Sequence, residues 1–134
     1  YGTPTALRES FSAKAFLADV RRYDATAMLY IGEMCRYLLA TPPSPLDSAH
    51  RLRVAVGNGL RPEIWSRFRE RFAIANVHEF YSATEAPGVL FNLTGVEGSV
   101  GKLPLGGLGL YKLARFDVER DGRRYIVIRL VNSN

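Results

Sequence analysis

The run Glu79-Phe80-Tyr81-Ser82-Ala83-Thr84-Glu85 presents an aromatic ring, a hydroxyl and a carboxylate together at the end of a strand-like stretch. Each group does a different job. A tyrosine face can stack on a purine, and a threonine hydroxyl can donate to a phosphate oxygen. A carboxylate can ligate Mg²⁺, a hard cation that prefers oxygen. The alternative is that Thr84-Glu85 opens a turn, with Glu85 in solvent and Tyr81 filling core. Upstream, Ala55-Val56-Gly57-Asn58-Gly59-Leu60-Arg61-Pro62 reads as a strand, a glycine turn and a helix start. Gly57 and Gly59 flank Asn58, so backbone there could approach a ligand closely. Alone, such a turn is far more often a helix-entry loop than a nucleotide site. It lacks the third glycine and distal acid of a dinucleotide fingerprint and the Gly-Lys-Ser/Thr of a Walker loop.

The remaining chemical residues form no comparable cluster. His50 and His78 lie far apart in sequence, without metal-type spacing to the single cysteine, Cys35, and structural roles are expected for all three. Trp65 is expected to pack in the core.

The elements that must position these residues follow from periodicity. Ser12 to Tyr23 reads as a helix capped by Ser12, with Phe11 and Phe16 at hydrophobic-staple positions. Phe16, Val20 and Tyr23 recur at i, i+4 and i+7 as its buried face. Ala25 to Ile31 is a strand candidate, and Met34, Tyr37 and Leu38 mark a short helix stopped by Pro42-Pro43. Thr41 to Asp47 is a proline-rich connector. Leu52 to Val56 is the next strand. Pro62 opens a helix with Ile64, Trp65, Phe68 and Phe72 on its apolar side, leaving Arg67, Arg69 and Arg71 largely off that stripe. Asn76 to Tyr81 and Gly88 to Leu93 follow as strands. Alternation of this kind predicts an α/β fold with a mostly parallel sheet flanked by helices. Beyond Gly95 glycines interrupt the pattern. Tyr111 to Glu119 and Tyr125 to Val131 are expected to form a C-terminal β-hairpin about Asp121-Gly122. The chain is thus read as one domain, with an α/β portion over 1–95 and a glycine-rich loop and hairpin over 96–134.

With 134 residues, of which 47% are hydrophobic, the chain can bury a core. No run of 18 apolar residues is present to span a membrane. Fifteen of its eighteen basic side chains are arginine, giving a net charge of +5. These are scattered and lack interleaved aromatics, which argues against nucleic acid and for a solvated surface open to anionic lipid.

Taken in order, several segments resemble the fatty-acid transport protein and very-long-chain acyl-CoA synthetase family, within the adenylate-forming, AMP-binding enzymes. They are Phe11-Ser12-Ala13, the run Thr26 to Leu39, the run His50 to Pro62 with Trp65 and Phe68, Glu79 to Glu85, and Gly98-Ser99-Val100-Gly101-Lys102-Leu103-Pro104. The resemblance covers about the first 105 residues. It implies part of the large N-terminal domain of an ATP-dependent ligase for long or very long fatty acids. In such enzymes the carboxylate attacks the α-phosphate of ATP, releasing pyrophosphate, and coenzyme A thiol then displaces AMP from the acyl-adenylate. The resemblance assigns Gly57, Asn58 and Gly59 to the adenine border and Tyr81 and Ser82 to its other side. Thr84 falls to the α-phosphate, Glu85 to Mg²⁺, and Tyr30, Ile31 and Gly32 to the acyl channel.

Ser82 stands where the family usually has glycine, and Ala86-Pro87-Gly88 replaces its usual Gly-Asn continuation. The phosphate loop, the ribose-binding aspartate motif and the lysine-bearing small domain of the family are not recognisable. The chain is therefore expected to be an interior slice, inactive alone, of a cytoplasmic or membrane-peripheral enzyme. A non-catalytic module that binds nucleotide or lipid is the alternative.

Overall fold

Ser12 ends the extended N-terminal segment and starts α1 (Ala13–Arg22) in the computed structural model, its Oγ accepting from the Ala15 amide. Phe11 and Phe16 meet with ring centroids 6.3 Å apart, the contact expected of a staple. The structure describes residues 2–83, 89–103, 112–113 and 128–129. After α1 come β1 (Ala27–Ile31), α2 (Gly32–Ala40), β2 (Val54–Asn58), α3 (Pro62–Arg71), β3 (Asn76–Tyr81) and β4 (Leu90–Asn92). A separate antiparallel pair joins β5 (Lys112–Leu113) to β6 (Ile128–Arg129). The Asp121-Gly122 turn expected between them lies outside the described residues.

The main sheet has the order β1-β2-β3-β4. Its first three strands are parallel, joined through α2 and α3, and β4 returns antiparallel along β3. The mostly parallel α/β sheet read from the sequence is therefore what forms. Several expected boundaries shift: the first strand begins at Ala27, not Ala25, and β4 ends at Asn92, not Leu93. The second strand runs from Val54 to Asn58 instead of Leu52 to Val56, so Gly57 and Asn58 belong to the strand and the turn begins at Gly59. Tyr23, expected on the buried face of α1, caps that helix and is exposed.

Packing follows strand alternation. Met28, Tyr30, Ala55 and Val77 face a core built with Val20 of α1, Cys35 and Leu38 of α2, and Trp65 and Phe68 of α3. All three helices thus serve one face of the sheet. On the other face Leu29 and Ile31 stay 78% and 57% exposed, although parallel sheets are normally covered on both sides. Cys35 is fully buried, and burial pushes its thiol up to about 12, with Glu79 adding to the shift. It is an inert core residue.

The connector from α2 to β2 is held by the burial of Leu52 in the core and by a set of polar contacts. Asp47 accepts from the Ser44 amide at 3.0 Å and from Arg71 Nε at 2.8 Å. Burial works to raise its carboxyl, but the Ser44 amide and the Arg71 guanidinium outweigh that and hold it below the ordinary 3.8. His50 Nδ1 accepts from the Leu52 amide at 3.1 Å, while its Nε2 is buried without a partner. Burial pushes this imidazole below its ordinary 6.5.

Both groups make acid destabilising, since the unfolded chain binds their protons more readily than the folded one. The His50 contribution is complete above about pH 6.5 and is lost as pH falls through the lower folded value. The Asp47 contribution is present above about pH 3.8 and disappears below it. The urea midpoint is expected to fall between pH 7 and 5. His50→Asn, which keeps an acceptor for Leu52, should flatten that first descent. A wild-type midpoint constant from pH 7 to 5 would contradict this assignment.

Candidate nucleotide site

The three parallel strands end together, and their register aligns Tyr30, Gly57 and Glu79 in one row near the carboxyl edge. In open α/β sheets this edge is where ligands bind. Each member of the row depends on the others. A Cβ at Gly57 would lie 2.1 Å from the Tyr30 carbonyl oxygen and 2.7 Å from its ring. Glycine is required here because Tyr30 occupies the space a side chain would need. The ring is buried, and its hydroxyl crosses to β3, donating to Glu79 Oε1 at 3.1 Å. Burial first, and the Glu79 carboxylate second, push this phenol far above its ordinary range, so it stays a proton donor.

Beyond the row, Gly59 takes φ +72°, a conformation that glycine reaches at little cost. The turn packs directly on the start of α2. A Cβ at Gly32 would come within 1.8 Å of the Gly59 carbonyl oxygen and 2.8 Å of the Leu60 nitrogen. Leu60 is buried, and its amide donates to Glu79 Oε1 at 2.6 Å. The β1–α2 and β2–α3 junctions are therefore locked backbone to backbone, with a buried carboxylate closing the arrangement from β3.

Tyr81 ends β3 two residues past Glu79 and is 44% exposed. The β2–β3 pairing ends at Gly57 and Glu79, so Tyr81 and Gly59 each lie two residues past the last paired row. The carboxyl edge thus carries an exposed aromatic residue at the end of β3 and a glycine bend just past β2. Ser82 is exposed next to it, and Asn58 is partly buried at the end of β2. Of the residues assigned to the acyl channel, Tyr30 and Gly32 are buried and Ile31 is exposed on the bare face of the sheet. Thr84 and Glu85, assigned to phosphate and Mg²⁺, lie outside the described residues, as do Ala86, Pro87 and Gly88. Among the described residues no group of three or more His, Cys, Asp and Glu is arranged to hold a metal ion.

Sequence reading gave Glu79 no role of its own. The signal was present: Val77 and Glu79 share a strand face, and an acid on the buried parity of a parallel strand must find donors.

Comparison with known proteins now defines the class. The AMP-binding enzyme family matches residues 2–112, and the chain belongs to that family. Among curated relatives, it is 48% identical over 101 residues to long-chain fatty acid transport protein 1 of Homo sapiens, covering 75% of this chain and 16% of that protein. It is 49% identical over 104 residues to the medium/long-chain fatty-acid–CoA ligase FadD6 of Mycobacterium tuberculosis, covering 78% of this chain and 17% of that protein. Long-chain fatty acid transport protein 2 of Rattus norvegicus is 40% identical over 122 residues, covering 90% and 20%. The chain therefore spans a fifth or less of each of these relatives. A benzoate CoA ligase from Burkholderia xenovorans shares the fold with a TM-score of 0.58 at 20% identity, covering 72% of this chain and 21% of that one. No helix among the described residues is long and apolar enough to cross a membrane.

Proposed function

We propose that this chain supplies part of the nucleotide and acyl surfaces of a long-chain or very-long-chain fatty-acid–CoA ligase. The reaction is activation of a fatty acid by ATP to an acyl-adenylate with loss of pyrophosphate, followed by transfer to coenzyme A with loss of AMP. What supports this reading is an exposed Tyr81 at the end of β3 and the Gly59 bend just past β2, both at the carboxyl edge of the sheet, in a chain of this family. Adenine would lie between the Tyr81 face and the main chain at Gly57, Asn58 and Gly59, with Ser82 at its margin. Thr84 would donate to the α-phosphate, and Glu85 would hold the Mg²⁺ that offsets charge gathering on phosphate oxygens. Tyr30, Ile31 and Gly32 would border the acyl chain. Peripheral attachment to an anionic membrane belongs to the same proposal, on the strength of the +5 charge.

The purified chain is expected to bind AMP in calorimetry yet to catalyse no fatty-acid-dependent exchange of pyrophosphate into ATP. Failure to bind AMP or ATP would contradict the nucleotide surface, and exchange activity would contradict its incompleteness. The second reading, a non-catalytic nucleotide- or lipid-binding module, draws on Ser82 and Pro87, where this sequence departs from the family pattern. Exchange activity in a full-length product containing this segment would remove it.

A further inference from the structure

Glu79 is a carboxylate at 6% exposure inside the sheet, between its parallel partner Gly57 and its antiparallel partner Asn92. Burying such a group is costly unless donors meet it. The donors it meets come from the adjacent strand and the one beyond it: the Leu60 amide just past β2 at 2.6 Å, and the Tyr30 hydroxyl of β1, two strands away, at 3.1 Å. That amide belongs to the residue immediately after Gly59, the point where the chain leaves the sheet at φ +72°. Glycine at that point is free to adopt many conformations, so something outside it must select one. Packing on the start of α2 limits that choice, and the Leu60 bond to Glu79, whose Oε1 also accepts from Tyr30, is a side-chain contact that reaches the turn. Tyr81, on the same strand, is then fixed relative to the turn by the distance from Glu79 along β3.

We propose that Glu79 is a positioning residue that sets the Gly59–Leu60 turn in the conformation that faces the nucleotide, with Tyr30 as its second anchor. The inference rests on the nucleotide reading above for its purpose, but its geometry can be tested without nucleotide. The carboxylate acts through hydrogen bonds and touches no reacting atom.

The test compares the chain with Glu79→Gln, which keeps an acceptor oxygen, and Glu79→Met, which keeps the bulk and removes the acceptor. Hydrogen exchange at the Leu60 amide is expected to accelerate about tenfold or more in the Met variant, the scale of one hydrogen bond to a charged group. It should stay within about threefold of wild type in the Gln variant. AMP affinity should follow the same order, falling about tenfold in Met and much less in Gln. Equal Leu60 exchange in the Met and Gln variants would overturn the proposal, because a space-filling role predicts that equality. If the Met variant does not fold, Tyr30→Phe decides instead: it keeps the ring, and its Leu60 exchange should quicken about threefold. Unchanged exchange in that variant would likewise overturn the proposal. A wild-type chain that binds no AMP would sink the nucleotide reading alone, since the exchange contrast judges the positioning role by itself.

Discussion

Arg71→Ala is expected to destabilise the fold by about 3–5 kcal/mol, the usual consequence of leaving one half of a buried ion pair behind. Arg71 is the last residue of α3, and its side chain is 15% exposed against 10% for that of Asp47. Its Nε donates to Asp47 at 2.8 Å, its Nη1 to the Leu39 carbonyl at 2.8 Å, and its Nη2 to Thr41 Oγ1 at 3.0 Å and the Pro42 carbonyl at 3.1 Å. The guanidinium fork thus ties three things together: the end of α3, the end of α2 and the proline-rich connector. Truncation strands the Asp47 carboxylate and removes donors from the part-buried Leu39 carbonyl and Thr41 hydroxyl. A domain of this size has about 5–15 kcal/mol in total, so the loss is a large part of it. Arg71→Lys should recover only part, because an ammonium keeps the charge and loses the planar fork. Urea denaturation monitored by circular dichroism measures both variants. A change below about 1 kcal/mol for Arg71→Ala, the range of an exposed pair, would show the clamp to be solvated.

Gly32→Ala is the second large effect, and two opposing terms decide its sign. Gly32 is the first residue of α2 and is not among the positive-φ glycines, so alanine would gain up to about 1 kcal/mol in helix propensity. Against this, the new Cβ would sit 1.8 Å from the Gly59 carbonyl oxygen and 2.3 Å from its carbon. These are backbone atoms, so relief requires moving the whole turn. Overpacking costs of about 3 kcal/mol or more exceed the propensity gain, and net destabilisation is expected. Gly59→Ala makes a useful contrast. The nearest atom to a Cβ there is 3.9 Å away, so the cost is the left-handed backbone alone, about 1–2 kcal/mol. Melting temperatures should therefore rank wild type, then Gly59→Ala, then Gly32→Ala. Gly32→Ala as stable as wild type would mean that the two junctions are not in contact.

Much of this was legible in the sequence where one local signal dominates. The cap at Ser12, the proline opening α3, the apolar stripe of Trp65, Phe68 and Phe72, and β3 with its bounds all follow from capping and periodicity. What escaped is set by partners distant in the chain. Arg71 looked like one more solvated arginine off the apolar stripe, and only the return of the connector beneath it makes it a clamp. Gly57 looked like part of a turn, because nothing local tells a glycine that bends from one that yields space to Tyr30. Glu79 looked like an ordinary polar residue in a strand until its row of neighbours was known. The residues whose types suit nucleotide chemistry divide in the same way. Tyr81 and the Gly59 bend share the sheet edge, whereas Thr84 and Glu85 carry their assignment from the family resemblance.

A nucleotide is expected to occupy the sheet edge at Tyr81 and Gly59. Titrating the isotopically labelled chain with AMP, while following backbone amide resonances, tests this most directly. Saturable shifts concentrated at Gly57, Gly59, Leu60 and Tyr81 are predicted. Shifts that cluster instead along the outer side of α3, at Ser66, Arg69 and Glu70, or an unchanged spectrum at saturating AMP, would contradict it.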